Sequence, residues 1–331
     1  MKVRFSLGLL ALMSLTILGC SGGDSTSTPT SDGKTSGTPD AKPLIVGFSQ
    51  IGAESGWRTA NTQSIQDEAK KRGIELKFSD AQQKQENQIK AIKSFIAQKV
   101  DVIAFAPVVE TGWKDVLQEA KDAGIPVFVS DRRPDVPEDM YVTFIGSDFV
   151  TEGRMAGEWL TKKMNGKANI AELVGTVGSA PANDRKKGFA EAIASQPGMK
   201  IIKSQTGDFT RTKGKEVMEA FLKSPEGAQI NALYAHNDDM ALGAIQAIEA
   251  AGKKPGTDIV VVSIDGLKVA FEAIAQGKMN CTVECNPLLG PALFDAIEKF
   301  RKGEKLDKRT VMKDGIFDET TAKAEIPNRK Y

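Results

Sequence analysis

The sequence predicts an α/β fold made of two doubly wound parallel-sheet lobes. Short apolar runs alternate with amphipathic stretches, which is the pattern of parallel strands covered by helices on both faces. About ten such runs follow one another from Pro43 onward, and two sheets accommodate them better than one. Polar residues end most of these runs. They indicate a ligand site, because ligands of open parallel sheets lie beyond the carboxyl ends of the strands.

The predicted strands and helices alternate in a regular order. The strand-like runs are PLIVGF, IELKFSD, VDVIAFAP, IPVFVSD and YVTFIGSD, followed by NIAELVGT, MKIIKSQTGD, INALYAHND, DIVVVSIDG and NCTVECNP. Between them lie helix-like stretches such as QENQIKAIKSFIAQK, whose apolar residues recur at helical spacing. The residues at the strand ends are Gln50, Asp80, Asp131, Asp148, Asp208, Asn237, Asp265 and Asn286. Taken singly, each could instead be a helix cap or a turn residue.

The first residues predict an export signal. Lys2 and Arg4 precede the apolar run FSLGLLALMSLTIL, which is too short to cross a membrane comfortably. The run is followed by GC, and the letters ILGC resemble a bacterial lipobox. We therefore expect residues 1–19 to be a lipoprotein signal peptide and Cys20 to be lipidated. An ordinary signal peptide with a chance cysteine is the alternative. Residues 20–42 are rich in Ser, Thr and Gly and predict a disordered linker.

Composition excludes several classes of function. The 44 basic and 43 acidic residues nearly cancel, which argues against nucleic acid as a partner. His236 is the single histidine, so a multi-histidine metal site is excluded, and a structural role is favoured for it over catalysis. No phosphate loop or dinucleotide motif matches, and we predict no enzyme, no metal and no cofactor. Cys281 and Cys285 would be about 13 Å apart in an extended strand, so free thiols are expected.

Several segments of the chain resemble a known family nearly word for word. They are VGFSQIGAESGWR, QQKQENQIKAIKSFIAQ, APVVETGWKDVLQEAKDAGIPVF, DRKKGFAEAI, TGDFTRTKGKEVMEAF, YAHNDDMALGAIQAI and SIDG. The chain resembles the galactofuranose-binding periplasmic proteins, which are solute-binding proteins of sugar ABC transporters in the ribose/galactose class. The resemblance covers about residues 43–299. It implies the periplasmic binding protein type I fold, in which a three-crossing hinge joins the lobes.

The resemblance also implies a set of sugar-binding residues. They are Glu54, Ser55, Gly56, Trp57, Arg58, Asp131, Arg132, Arg185, Asn237 and Asp265. A second group of candidates comprises Gln50, Asp208, Phe209 and Glu284. The chemistry agrees, because carboxylates accept hydrogen bonds from sugar hydroxyls, guanidinium groups donate them, and an aromatic ring covers the C–H face. A core position for Trp57 and a surface position for Arg132 are the alternatives, and Arg133 is assigned to the surface.

The resemblance places the crossings near residues 147–148, 285–286 and 307–309. The first lobe is expected to comprise residues 43–147 and 286–308, and the second lobe residues 148–285 and 309–331. The predicted function is an extracytoplasmic lipoprotein, in the periplasm or at the cell surface, held to the membrane by its lipid anchor. As a monomer it would deliver a monosaccharide, galactofuranose, to an ABC transporter permease by hinge closure. A sugar-sensing lipoprotein that reports to a membrane kinase or chemoreceptor is the alternative.

Overall fold

Runs of consecutively buried residues form the central strands. All residues of the strands Val102–Phe105 and Ala232–Ala235 are buried, as a parallel sheet with helices on both faces requires.

The computed structural model describes residues 42–331, of which Pro43–Tyr331 form one compact unit. The predicted signal peptide, the lipidation site Cys20 and the linker up to residue 41 lie outside the described residues. No helix among residues 42–331 is long and apolar enough to cross a membrane.

The first lobe is built on a six-stranded sheet. Its strands are β1 (Ile45–Gln50), β2 (Glu75–Asp80), β3 (Val102–Phe105), β4 (Val127–Ser130), β5 (Phe144–Gly146) and β11 (Arg309–Val311). The spatial order is β11-β5-β4-β3-β1-β2, and every neighbouring pair is parallel. The helices α1 (Gly56–Lys71), α2 (Gln85–Ala97), α3 (Lys114–Asp122) and α9 (Gly290–Arg301) belong to this lobe.

The second lobe repeats the arrangement. Its strands are β6 (Lys167–Val174), β7 (Gly198–Thr206), β8 (Ala232–Ala235), β9 (Val260–Asp265), β10 (Cys281–Glu284) and β12 (Ile316–Asp318). The order is β12-β10-β9-β8-β6-β7, and only β12 runs antiparallel to its neighbour. The helices are α4 (Phe149–Lys163), α5 (Ala180–Ile193), α6 (Arg211–Lys223), α7 (Asp238–Ala250), α8 (Lys268–Ala275) and α10 (Ala322–Glu325). The two sheets confirm the predicted fold class.

The chain passes between the sheets three times. The first passage lies between β5 and α4, and the second between β10 and α9, close to the predicted positions. The third lies in residues 312–315, between β11 and β12. The predicted boundary, which gave 309–331 to the second lobe, is therefore corrected. Arg309–Val311 pair with β5 and extend the first sheet before the chain crosses.

Both cysteines of the described chain are free thiols, as predicted. Cys281 begins β10, and Cys285 follows its last residue, so the backbone between them is extended. Both side chains are buried, and burial raises the pKa of each thiol well above its ordinary value. They are therefore neutral at physiological pH.

Candidate functional site

A cavity with about 290 Å³ of empty space, part of it open to solvent, lies where the carboxyl ends of both sheets meet. Its walls come from the segments that follow β1, β4, β7 and β8, from the end of β9, from the N-terminal parts of α1, α4 and α5, and from the passage after β10. The lining residues are Glu54, Ser55, Trp57, Arg58, Asp131, Arg132, Phe149, Pro181, Arg185, Phe209, Asn237, Asp265 and Cys285. The structure thus brings together nine of the ten sugar-binding residues that the resemblance implies, all except Gly56.

Arg58 organises the wall that the first lobe contributes. Ser55 caps α1, and its hydroxyl accepts a hydrogen bond from the Arg58 backbone N–H at 3.1 Å. The buried Arg58 guanidinium donates to Glu54 Oε1 at 3.1 Å and to Asp131 Oδ2 at 2.6 Å. It also donates to Gln50 Oε1 at 3.3 Å. Most of the hydrogen-bond donors of the Arg58 guanidinium are therefore used within the protein. Gln50 holds Arg58 in place and does not itself line the cavity.

Arg132 lies in the same wall with far fewer partners. Its guanidinium makes one hydrogen bond, from Nη1 to the Val108 carbonyl at 3.2 Å, while Glu54 and Asp131 are 3.8 and 3.7 Å away. Burial, together with the charge of Arg58, lowers the pKa of Arg132 to about 10. Burial would also raise the pKa of Glu54, but the two guanidinium charges outweigh it and hold that pKa below its ordinary value. The predicted surface alternative for Arg132 is wrong.

Arg185 organises the wall of the second lobe. Its guanidinium donates to Glu152 Oε2 at 2.8 Å and to the His236 carbonyl at 2.6 Å, and its Nη2 lies 3.7 Å from Asp265 Oδ1. Burial would lower the pKa of Arg185, but the neighbouring carboxylates, Glu152 first, outweigh it and raise that pKa. His236 is fully buried against Glu172, so its role is structural, as predicted.

Two aromatic side chains line opposite walls. Trp57 is 5% exposed, and its indole N–H donates to the Cys285 carbonyl at 2.6 Å. Phe209, from the second lobe, has the Arg132 guanidinium 5.1 Å from its ring centroid. Asn237 caps α7 through Met240 N and also donates to the Phe209 carbonyl at 3.1 Å, which fixes the loop that carries the ring.

Three lining residues adopt backbone conformations with positive φ that residues other than glycine rarely take. Asp131 has φ +64°, Phe209 has φ +60° and Asp265 has φ +135°. Such conformations cost on the order of 1–3 kcal/mol each and cluster at binding sites, where the surrounding structure enforces them. Gly175 makes room for Phe209, because a Cβ there would lie 1.9 Å from the ring.

The sequence of residues 46–304 matches the periplasmic binding protein domain. The chain belongs to the periplasmic binding protein family. It is 55% identical over 294 residues to the galactofuranose-binding protein YtfQ of Escherichia coli, which covers 88% of this chain and 92% of that protein. Membership in the family agrees with the prediction of a binding protein and not an enzyme.

Two solved structures are similarly close. One, from Mycobacterium smegmatis in complex with β-D-fucofuranose, is 57% identical with a TM-score of 0.85, over 87% of this chain and 95% of that one. The other is the binding component of the arabinose ABC transporter from Shewanella sp. ANA-3, bound to α- and β-L-arabinofuranose. It is 56% identical with a TM-score of 0.84, over 86% of this chain and 95% of that one.

Four predicted residues of this binding protein lie outside the cavity lining. Gly56 instead joins the lobes, because its backbone N–H donates to Asp239 Oδ2 at 2.7 Å. Asp208 accepts from the Thr206 hydroxyl at 3.0 Å. Glu284 is held by Arg329 and Tyr331 at 2.6 and 2.9 Å. Gln50 supports Arg58 as described. All four residues are therefore engaged with the protein itself.

Sequence reasoning missed three residues of the cavity lining in this binding protein. Phe149 and Pro181 stand in the first turns of α4 and α5, and Cys285 follows β10. The residue types at these positions do not indicate ligand binding, although each position lies near the end of a predicted strand. The Arg133 side chain is 39% exposed, in keeping with its predicted surface position, and it forms a bidentate ion pair with Asp184 of the other lobe.

Unpartnered polar atoms mark what a ligand of this binding protein must supply. Glu54 Oε2, Arg132 Nε and Asp265 Oδ2 are buried without a hydrogen-bond partner, and all three side chains line the cavity. A buried polar group without a partner costs about 1–3 kcal/mol. Burial raises the pKa of Asp265 well above its ordinary value despite the nearby Arg185 charge. The cavity therefore offers donors and acceptors from both lobes to one small polar molecule.

Proposed function

We propose that this protein binds a monosaccharide in its five-membered-ring form, in the class of galactofuranose, within the cavity between its lobes. The observation that carries the proposal is the set of unpartnered atoms on Glu54, Arg132 and Asp265, which lie beside the rings of Trp57 and Phe209. Sugar hydroxyls can satisfy these atoms, and the C–H faces of the sugar can contact the rings. The polar atoms and the aromatic rings of the cavity are thus complementary to the hydroxyl groups and the C–H faces of a carbohydrate.

The charge of the lining supports an uncharged ligand. Arg58, Arg132 and Arg185 stand against the carboxyl groups of Glu54, Asp131 and Asp265. Arg58 and Arg185 are already paired with the side chains of Glu54, Asp131 and Glu152, so these two guanidinium groups are not free to bind a sugar acid or a sugar phosphate. A neutral monosaccharide fits this balance.

The relatives support the furanose ring. The three similar proteins are associated with galactofuranose, β-D-fucofuranose and L-arabinofuranose, which all have five-membered rings. These sugars differ mainly in the substituent beyond the ring. We infer that the ring is the shared feature and that this protein accepts more than one furanose, with galactofuranose as the first candidate.

Delivery to an ABC importer permease is the role we propose for the bound sugar. Ligand contacts on both lobes stabilise the closed form, and hinge closure around ligands is the known behaviour of periplasmic binding proteins. The 56% identical relative is named as a component of an ABC transporter, which favours transport over the sensor alternative. We further propose that the protein acts as a monomer in the periplasm or at the cell surface.

Calorimetry with D-galactose, L-arabinose and methyl β-D-galactopyranoside tests the ring assignment. Free galactose and arabinose reach the furanose form in solution, whereas the methyl pyranoside is locked. We expect both free sugars to bind with an apparent affinity reduced by the small furanose fraction. We expect no binding of the locked pyranoside. Equal affinity for galactose and the pyranoside would overturn the furanose assignment, and no binding of any sugar would overturn the function.

We also propose that Cys20 is lipidated and that residues 20–42 tether the folded part to the membrane. A lipoprotein anchor carries more than one acyl chain, which gives stable attachment. Intact mass of the protein extracted from membranes is expected to show acyl groups on Cys20. Cys20→Ser is the matched variant, and its release in soluble form is the expected result. An unmodified cysteine in the wild-type protein contradicts the proposal.

A further inference from the structure

A second aspartate lies beneath the Asp265 segment without lining the cavity. Asp238 is the first residue of α7, and its side chain is fully buried. Its Oδ2 accepts from the Leu267 backbone N–H at 2.7 Å. Its Oδ1 accepts from the hydroxyls of Ser263 and Thr282, the latter at 2.8 Å. One carboxylate is thus bonded to β9, to β10 and to the loop after β9.

Thr282 extends this network to the residue next to Asp265. Its hydroxyl accepts from the Gly266 backbone N–H at 3.1 Å while donating to Asp238. The two backbone N–H groups that follow Asp265 are therefore both held, Leu267 directly and Gly266 through Thr282. This restraint acts where it is needed, because Asp265 has φ +135°, a conformation that persists only when the surrounding structure enforces it.

We infer that Asp238 is a positioning residue for ligand binding, which holds residues 265–267 in the conformation that presents the Asp265 carboxyl to the cavity. The inference rests on the proposed function. The same loop also faces the first lobe, since a Cβ on Gly56 would lie 3.2 Å from Leu267 Cδ1. The adjacent Asp239 accepts from Gly56 N, so the pair of aspartates serves the cavity wall and the lobe contact together.

The first test needs no sugar. Amide hydrogen exchange of Gly266 and Leu267 is measured in the full-length protein and in the variants Asp238→Asn and Thr282→Val. We expect exchange at these amides to rise about tenfold or more, because a restraint on local opening is lost. Thr282→Ser keeps the hydroxyl and is expected to restore protection. Asp258→Asn, an exposed change in the same lobe, is the control. Unchanged exchange of Leu267 in Asp238→Asn, or of Gly266 in Thr282→Val, overturns the inference.

The second test separates positioning from a general structural role. Calorimetry with L-arabinose and D-galactose compares Thr282→Val, Asp265→Asn and the double variant. We expect each single change to weaken binding about tenfold or more, and the double variant to lie within about twofold of Asp265→Asn. Losses that multiply would show that the network acts independently of Asp265, which overturns the inference. The exchange test uses no sugar, so it tests the role of Asp238 even if the wild-type protein binds neither sugar. Absence of sugar binding by the wild-type protein would count against the proposed function alone.

Discussion

Arg58 and Arg132 share one wall of the cavity but differ in how the protein engages them. Arg58 bonds to three side chains, two of them carboxylates. The Arg132 side chain has one hydrogen bond, to a backbone carbonyl, and an unpartnered Nε. Removing a fully paired buried charge leaves its partners unsatisfied, whereas removing an underused one mainly deprives the ligand. The two arginines therefore have different expected phenotypes.

We predict that Arg132→Met weakens sugar binding about 10- to 100-fold with little change in Tm, because one charged hydrogen bond to the ligand is lost. Arg58→Met is predicted to lower Tm by roughly 5–10 °C, because Glu54 and Asp131 are left unpaired. Calorimetry and thermal unfolding of both variants provide the measurements. A larger loss of Tm in Arg132→Met than in Arg58→Met contradicts this division of roles.

Gly175 is predicted to control the aromatic wall. In Gly175→Ala, the new Cβ would lie 1.9 Å from the Phe209 ring, so the ring must leave its place. We expect sugar affinity to fall by about tenfold, the loss of one well-placed contact. The comparison is with Phe209→Ala and the double variant. If Gly175 acts through the ring, the double variant binds no more weakly than Phe209→Ala alone. A further loss in the double variant would show another cause.

The sequence could indicate which residues face the ligand but not how each is used. Polar residues at strand ends placed Asp131, Asn237 and Asp265 at the cavity because the topology of parallel sheets dictates that position. Glu284 also ends a strand, yet it is bonded to Arg329 and Tyr331 from the distant C-terminus. Only the folded chain brings such partners together. Strand-end position therefore predicts location, and the partners decide the role.

At the scale of elements, the three passages between the lobes meet at one carboxyl group. Asp314, in the third passage, accepts from the Asn286 backbone N–H of the second passage at 3.2 Å. The Ser147 side chain of the first passage is also close enough to influence the pKa of Asp314. Burial, followed by the charge of Glu152, raises the pKa of Asp314 to about 7. The hinge therefore contains a group that titrates near neutral pH.

The sign of the resulting pH effect follows from the raised pKa. Between the unfolded pKa near 4 and the folded value, the native state binds more protons, so stability falls as pH rises through this range. We predict that Asp314→Asn reduces the drop in Tm between about pH 5 and about pH 7.5. Asp238, whose pKa burial also raises to about 7, contributes the same drop to both proteins. Asp258→Asn is the control, and an unchanged drop in Asp314→Asn contradicts the prediction.

Ten strands could be predicted because each is an apolar run between helical patterns. Two could not. The strands β11 and β12 have three residues each, and every residue of β11 is exposed, so neither has the apolar run that marks a strand. They form by pairing with the edges of β5 and β10. Because β11 belongs to the first sheet, the third passage begins after β11 and not after residue 308, as was predicted.

At the scale of the whole molecule, polar contacts at the rim join the lobes outside the cavity. Arg133 of the first lobe makes its bidentate ion pair with Asp184 of α5. Glu110 accepts from Asn183 at 2.5 Å, and its backbone N–H donates to the Gly178 carbonyl at 2.9 Å. None of these residues lines the cavity. In the proposed closure around a sugar, these contacts would stabilise the closed form without touching the ligand.

We predict that Asp184→Asn weakens sugar binding about twofold to fivefold, because a partly exposed ion pair contributes up to about 1 kcal/mol to closure. Arg133→Gln is expected to have the same effect, and the double variant no more than either alone. The control is Glu119→Gln, which breaks the Lys93–Glu119 pair within the first lobe. Calorimetry at low and high salt measures the losses, and additive losses would refute the coupling across the rim.

The contact between Trp57 and the Cys285 carbonyl has a practical consequence. The chain has three tryptophans, and only Trp57 links a helix of one lobe to a passage of the hinge. Trp113 is fully buried in the first lobe, and Trp159 donates to Asp318 within the second. In the proposed hinge motion, we expect Trp57 to lose its carbonyl partner and gain water as the lobes separate, while the surroundings of the other two persist. The native protein therefore contains its own optical probe of opening, and the emission of Trp57 can follow the motion without any attached dye.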